Sequence, residues 1–112
     1  MKFLRFFDHS AEREFAMELA SRLTKELPPK LMEKHHKVLS VNKITRLLER
    51  SCQLAIAYQV EHRLGFMKRA VLANHFKWAL KNTGYPDDFT DVATESIVVA
   101  LSKGNGAKNI ST

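Results

Sequence analysis

The sequence predicts an all-α fold: a small orthogonal or up-down bundle of four to five helices around one long central helix. Three observations predict it. Apolar residues recur at i, i+3, i+4 and i+7 through most of the chain, the period-two alternation of strands is nearly absent, and Pro28-Pro29 and Gly84-Tyr85-Pro86 cut the chain into helix-length pieces.

In chain order, Phe3 to Phe7 reads as a short arm or a lead-in under the bundle. Asp8 or Ser10 reads as the cap of a first helix, with Glu12 and Glu14 where carboxylates meet the positive end of the helix dipole. That helix runs to about Leu27 and turns Phe15, Ala16, Leu19, Ala20, Leu23 and Leu27 inward. Pro28-Pro29 ends it, and the second proline suits the first position of a helix from about Lys30 to Leu39.

Ser40 or Asn42 then starts the central helix, expected to span Lys43 to Asn82. One face carries Ile44, Leu47, Leu48, Ala55, Tyr58, Phe66, Leu72, Phe76 and Leu80; the opposite side carries Ile56, Val60, Leu64, Met67, Val71 and Trp78. Such a rod is too oily to stand bare on either side. It would also run about 60 Å, against roughly 35 Å for a compact domain of this length. Gly65 is the one candidate breaker, so a kink or break is placed near it. Gly84 supplies the left-handed cap, and Pro86 prevents continuation. Asp87 or Asp88 opens the last helix, whose core stripe is Phe89, Val92, Ala93, Ile97, Ala100 and Leu101. Residues 1–103 form one domain on this reading, and the small polar run 104–112 is a flexible tail.

Composition narrows the function classes. The chain has 112 residues, one cysteine and no apolar run of membrane-spanning length. No disulfide framework and no export signal point to a reducing, cytoplasmic setting without a membrane role. Cys52 lies in the apolar middle of the central stretch, where a lone thiol acts as a small hydrophobe. The net charge is +6 and unevenly placed. Residues 30–50 hold six basic and two acidic side chains, residues 61–81 five and one, and residues 82–102 none and four. A basic middle beside an acidic end favours self-association between unlike patches or an anionic partner.

Catalytic chemistry finds little support. His9, His35, His36, His62 and His75 include no i, i+4 pair of the kind that holds a metal on a helix, so neither a metal nor a cofactor is expected. His62 falls on the core face with no carboxylate one turn away, and Gly104-Asn105-Gly106 follows no strand as a phosphate loop would. The segment from Arg69 through Ala70 to His75 resembles the Arg-x(4–6)-His motif of the HEPN ribonucleases, small all-α domains that dimerise and bring two such motifs together. The resemblance covers seven residues and implies that Arg69 and His75 act on an RNA backbone. Where that family often has a polar residue after the arginine, this chain has Ala70. Read from its own spacing, the pair is a helix-surface charge and a half-buried ring.

Two basic faces remain: Lys30, Lys34 and Lys37 on the second helix, and Lys43, Arg46 and Arg50 at the start of the central one. They are the candidate anion- or nucleic-acid-binding residues. No helix-turn-helix, zinc-finger or RNA-binding signature accompanies them. The leading expectation is therefore a non-enzymatic protein-binding module, an adaptor, regulator or toxin-neutralising partner, that binds another protein or itself as a homodimer. A basic helical nucleic-acid-binding protein is the alternative, and a HEPN-like ribonuclease the third reading.

Overall fold

The structure, a computed structural model, describes the backbone of residues 8–34 and 41–110, and the side chains of 8–32 and 41–102. The Phe3 to Phe7 arm, His35, His36 and Lys37 lie outside the described residues, as does the Lys34 side chain. Among the described residues the helices are α1 (Ser10–Glu26), α2 (Pro29–Lys34), α3 (Val41–His62), α4 (Phe66–Thr83) and α5 (Asp87–Ile110), with no strand. The all-α reading holds.

The long central helix does not. Residues 41–83 form two helices, because the chain turns at Arg63-Leu64-Gly65. The longest extent of the molecule is 49 Å, too short for the expected rod. The Leu64 N–H donates to the Gln59 carbonyl at 3.1 Å and the Arg63 N–H to the Val60 carbonyl at 3.4 Å. This is the Schellman pattern, which satisfies the last carbonyls of a helix and requires a left-handed residue just past it. That residue is Arg63, at φ 50°, and not the glycine two positions on. Gly65 is extended and precedes the first turn of α4, where the Arg69 N–H reaches its carbonyl at 3.1 Å. Leu64 is driven inward by the turn and is buried.

The proline and glycine punctuation works as read. Pro29 opens α2, and Gly84 at φ 109° ends α4. The cap of α1 is His9, which makes no side-chain capping bond, and not the expected Asp8 or Ser10. Asp8 accepts the Ser10 N–H at 3.0 Å just ahead of the helix, and Asp88, already in the first turn of α5, accepts the Phe89 N–H at 2.8 Å. Hydrogen bonds from Ser10 hold the Asp8 carboxyl below its usual range. The α5 backbone runs on through Gly104 and Gly106 to Ile110, past the boundary near Lys103 read from composition. Extending a formed helix adds one hydrogen bond per residue, against a glycine penalty of about 1 kcal/mol each.

Packing joins the four long helices in a ring: α1 against α4, α4 against α5, α5 against α3, and α3 more lightly against α1. Contacts at both ends give the directions. Lys68 reaches Glu12 while Tyr85 reaches Leu27, so α1 and α4 run parallel. Cys52 meets Ser96 and Gln59 meets Leu101, so α3 and α5 also run parallel. Arg50 with Glu26 and Tyr58 with Glu12 make α1 and α3 antiparallel. The directions thus alternate along the chain, but the α3–α4 turn carries it across the diagonal of the ring instead of to a neighbour.

The core is the predicted one for α1: Ala16, Leu19, Ala20, Leu23 and Leu27 are buried, with Phe15 packed beside them. Leu47, Ala55, Leu64, Leu72, Phe76, Leu80, Tyr85, Phe89, Ala93, Ile97 and Leu101 complete it. Val92 and Phe66, expected inside, are exposed. Val92 lies on the outer side of α5, and Phe66 is the first residue of α4, at its exposed end.

Candidate functional site

One polar cluster is built from three helices. Glu12 of α1 is 3% exposed, and both its oxygens are engaged. Oε1 meets Lys68 Nζ of α4 at 3.2 Å, and Oε2 accepts the Tyr58 hydroxyl of α3 at 3.0 Å. Lys68 also donates to the Asp8 carbonyl at 2.8 Å. Tyr58 is stacked between Phe15 and His62, each ring centroid 4.1 Å away. Burial, and then the bond to Glu12, push the Tyr58 hydroxyl up to about 12, so it remains a neutral donor. A carboxylate with both oxygens held by its own chain is not free to take a proton from a substrate. The cluster is a clamp across the diagonal crossing.

The sequence reading placed Glu12 only in the first turn, yet it stands four residues before Ala16 on the same inward stripe. That register was the available signal for its burial. His62, expected on the core face, is exposed; its Nδ1 lies 3.1 Å from the Tyr58 carbonyl. The helix ends right after it, so the core phase of α3 stops at Gln59.

The predicted basic residues divide. Lys43, Arg46 and Arg50 line a groove of about 470 Å³ with Glu26 and Leu47. A second groove of about 490 Å³ continues it along the light α1–α3 seam, adding Arg22, Lys25 and Glu18. Arg50 spans the seam to Glu26 at 3.3 Å, an exposed pair. Lys30 is exposed on α2 and lines neither groove.

The third feature is apolar. On α4 the residues opposite Leu72, Phe76 and Leu80 are Met67, Val71, Asn74 and Trp78, spaced 4, 3 and 4 apart like the seam of a coiled coil. Met67 is 65% exposed, Trp78 50%, and neighbouring Phe66 78%. Lys81 Nζ lies 5.3 Å from the Trp78 ring centroid. A further apolar strip follows the α3–α5 seam, where Ile56, Val92, Val99 and Ala100 line a groove of about 660 Å³ with Glu95 and Ser96. Leu48 and Cys52 extend it toward the start of α3. Cys52 donates its Sγ–H to the Ser96 carbonyl at 3.4 Å, and burial pushes its thiol up, away from the reactive thiolate.

Arg69 and His75 do not meet. Six residues of helix separate them by about 9 Å along the axis and about 120° around it. Arg69 donates back to the Gly65 carbonyl at 3.4 Å. Among the described residues no three His, Cys, Asp or Glu side chains come together as a metal site, and no helix is long and apolar enough to cross a membrane. No family model, curated protein or solved structure matches the chain.

Proposed function

We propose that this chain is a non-enzymatic protein-binding module, of the adaptor, regulator or toxin-neutralising kind, that works by association and forms a homodimer. The observation that carries the reading is the outward face of α4, where Met67 and Trp78 stand in solvent on the side away from the core, with Phe66 exposed at the start of the helix. The three bare side chains together expose roughly a few hundred Å² of apolar surface, comparable in area with the patches that mark binding sites on monomers. Trp and Met are also enriched in protein interfaces. Covering such a patch is worth roughly 5–10 kcal/mol at about 25 cal/mol per Å², similar to the roughly 4–15 kcal/mol that association costs. The α4 face alone therefore supports weak self-association, and a tight complex needs a second surface.

Light scattering across a concentration series tests this. The wild-type chain is expected to shift from one copy toward two, and Trp78→Glu to stay single with its helix content unchanged. A wild-type chain that remains single at every concentration and captures no protein partner would remove the reading.

The α1–α3 groove favours a second reading, nucleic-acid binding, because Arg22, Lys25, Lys43, Arg46 and Arg50 outnumber Glu18 and Glu26 along it. It predicts oligonucleotide binding that weakens steeply with salt and is lost in Arg46→Glu; no binding at low salt excludes it.

A further inference from the structure

On α4, and on α5 as far as Ser102, exposed apolar residues stand beside charges of a single sign. From Phe66 to Thr83, α4 carries Lys68, Arg69, Lys77 and Lys81 and no carboxylate. From Asp87 to Ser102, α5 carries Asp87, Asp88, Asp91 and Glu95 and no cation. Lys68 is taken up by Glu12, but among the described residues neither Lys77 nor Lys81 forms an ion pair, and neither do Asp91 and Glu95. The two helices are neighbours in the ring, yet their charges do not join within the chain.

Charge decides which surface suits the α4 face. Laid on the α4 of another copy, it would bring two sets of cations together with no anion between them, an arrangement that opposes association. The outward side of α5 offers the opposite sign with similar apolarity. Val92 and Val99 are exposed there beside Asp91 and Glu95, and the groove against Ile56 is open to receive a large side chain. Trp78, an aromatic ring already paired with Lys81, has the chemistry of an interface anchor.

We propose that the α4 face binds the α5 face of a second copy, with Trp78 seated in the α3–α5 groove and Lys77 and Lys81 facing Asp91 and Glu95. Because α4 and α5 lie side by side, a two-fold axis near their seam lets each copy offer both faces at once. The assembly then closes as a dimer with two equivalent contacts. This inference rests on the reading of the protein as a self-associating module and adds which faces meet.

A charge-swap experiment on the full chain tests it, with sedimentation equilibrium as the readout. Lys77→Glu with Lys81→Glu makes both faces acidic, and Asp91→Lys with Glu95→Lys makes both basic, so each variant alone should dimerise at least about tenfold more weakly. Mixed in equal amounts, the two restore attraction at both contacts, and dimer formation should return to near the wild-type level. A basic-faced variant that dimerises as well as wild type overturns the pairing and leaves self-association standing. A wild-type chain that never dimerises overturns both.

Should a swapped variant fail to fold, the wild-type chain decides alone, since Trp78 is its only tryptophan. Its emission should move to the blue as dimer forms, and the dissociation constant should rise about tenfold between low and high salt. Dimer formation without the emission shift, or without the salt dependence, overturns the proposal.

Discussion

Two turns in this molecule have the same hydrogen-bond pattern and opposite chemistry. At the end of α4, Gly84 takes the left-handed position, and the Tyr85 N–H reaches back to the Leu80 carbonyl at 3.3 Å. At the end of α3, Arg63 takes that position and Leu64 reaches back to Gln59. Each turn drives its next residue into the core, Tyr85 in one and Leu64 in the other. Glycine makes the first turn inexpensive wherever it occurs. Arginine disfavours the left-handed backbone, so the second turn must be held by residues just beyond it: Leu64 in the core and Lys68 on Glu12. One turn is written locally and the other is imposed by packing.

If so, the α3–α4 turn should fail when its anchors are removed. Leu64→Ala is expected to cost the most, about 2–4 kcal/mol in urea unfolding, as for other large-to-small changes in a core. A loss below about 1 kcal/mol would mean that the turn does not depend on this anchor. Glu12→Ala comes next at about 2 kcal/mol, because the Tyr58 hydroxyl and Lys68 lose their shared acceptor while Lys68 keeps some access to water. An unchanged midpoint would show the clamp to be idle.

The clamp also sets a pH dependence. An unfolded tyrosine ionises near 10, whereas Tyr58 in the folded chain is pushed up to about 12, first by burial and then by Glu12. Below about pH 10 the hydroxyl is neutral in both states and the stabilisation is fully present. Between about 10 and 12 the unfolded chain releases a proton that the folded one keeps, so stability falls as pH rises. Burial pushes Tyr85 the same way. Tyr58→Phe should therefore flatten part of the alkaline limb of a stability curve; an unchanged limb would assign it to other groups.

The smallest effects compare the turns directly. Gly84→Ala places a side chain at φ 109° and should cost about 1–2 kcal/mol, although a methyl group there would meet no neighbouring atom. Arg63→Gly should stabilise by about 0.5 kcal/mol, the relief of the left-handed arginine being partly offset by a more flexible unfolded chain. If Arg63→Gly destabilised instead, the arginine side chain would have a role that its exposed position does not show.

Much of the architecture was legible because it follows from local rules. The α1 stripe from Ala16 to Leu27, the Pro29 start of α2 and the Gly84 stop are all written within a few residues. A break was expected near Gly65 and falls at Arg63-Leu64-Gly65, but which residue makes the turn was not legible in the same way. The nearest glycine drew the expectation to Gly65, whereas the left-handed residue has no sequence signal of its own. The basic groove was half legible. Helical spacing put Lys43, Arg46 and Arg50 on one lip of a groove, but only the antiparallel packing of α1 and α3 supplied Glu26 and Lys25 to the opposite side.

By itself, the sequence determined that the chain is helical, where most helices start and stop, and that its middle is apolar on more than one side. Periodicity and capping are short-range, and each residue carries them wherever the chain goes. Only the tertiary structure decided that the middle is two helices, that they face each other across a diagonal, and that Glu12 is enclosed by Tyr58 and Lys68. It also decided which oily residues remain outside, Met67 and Trp78 among them. Those outcomes depend on which surfaces compete for the same core, and that competition is settled between residues far apart in the chain.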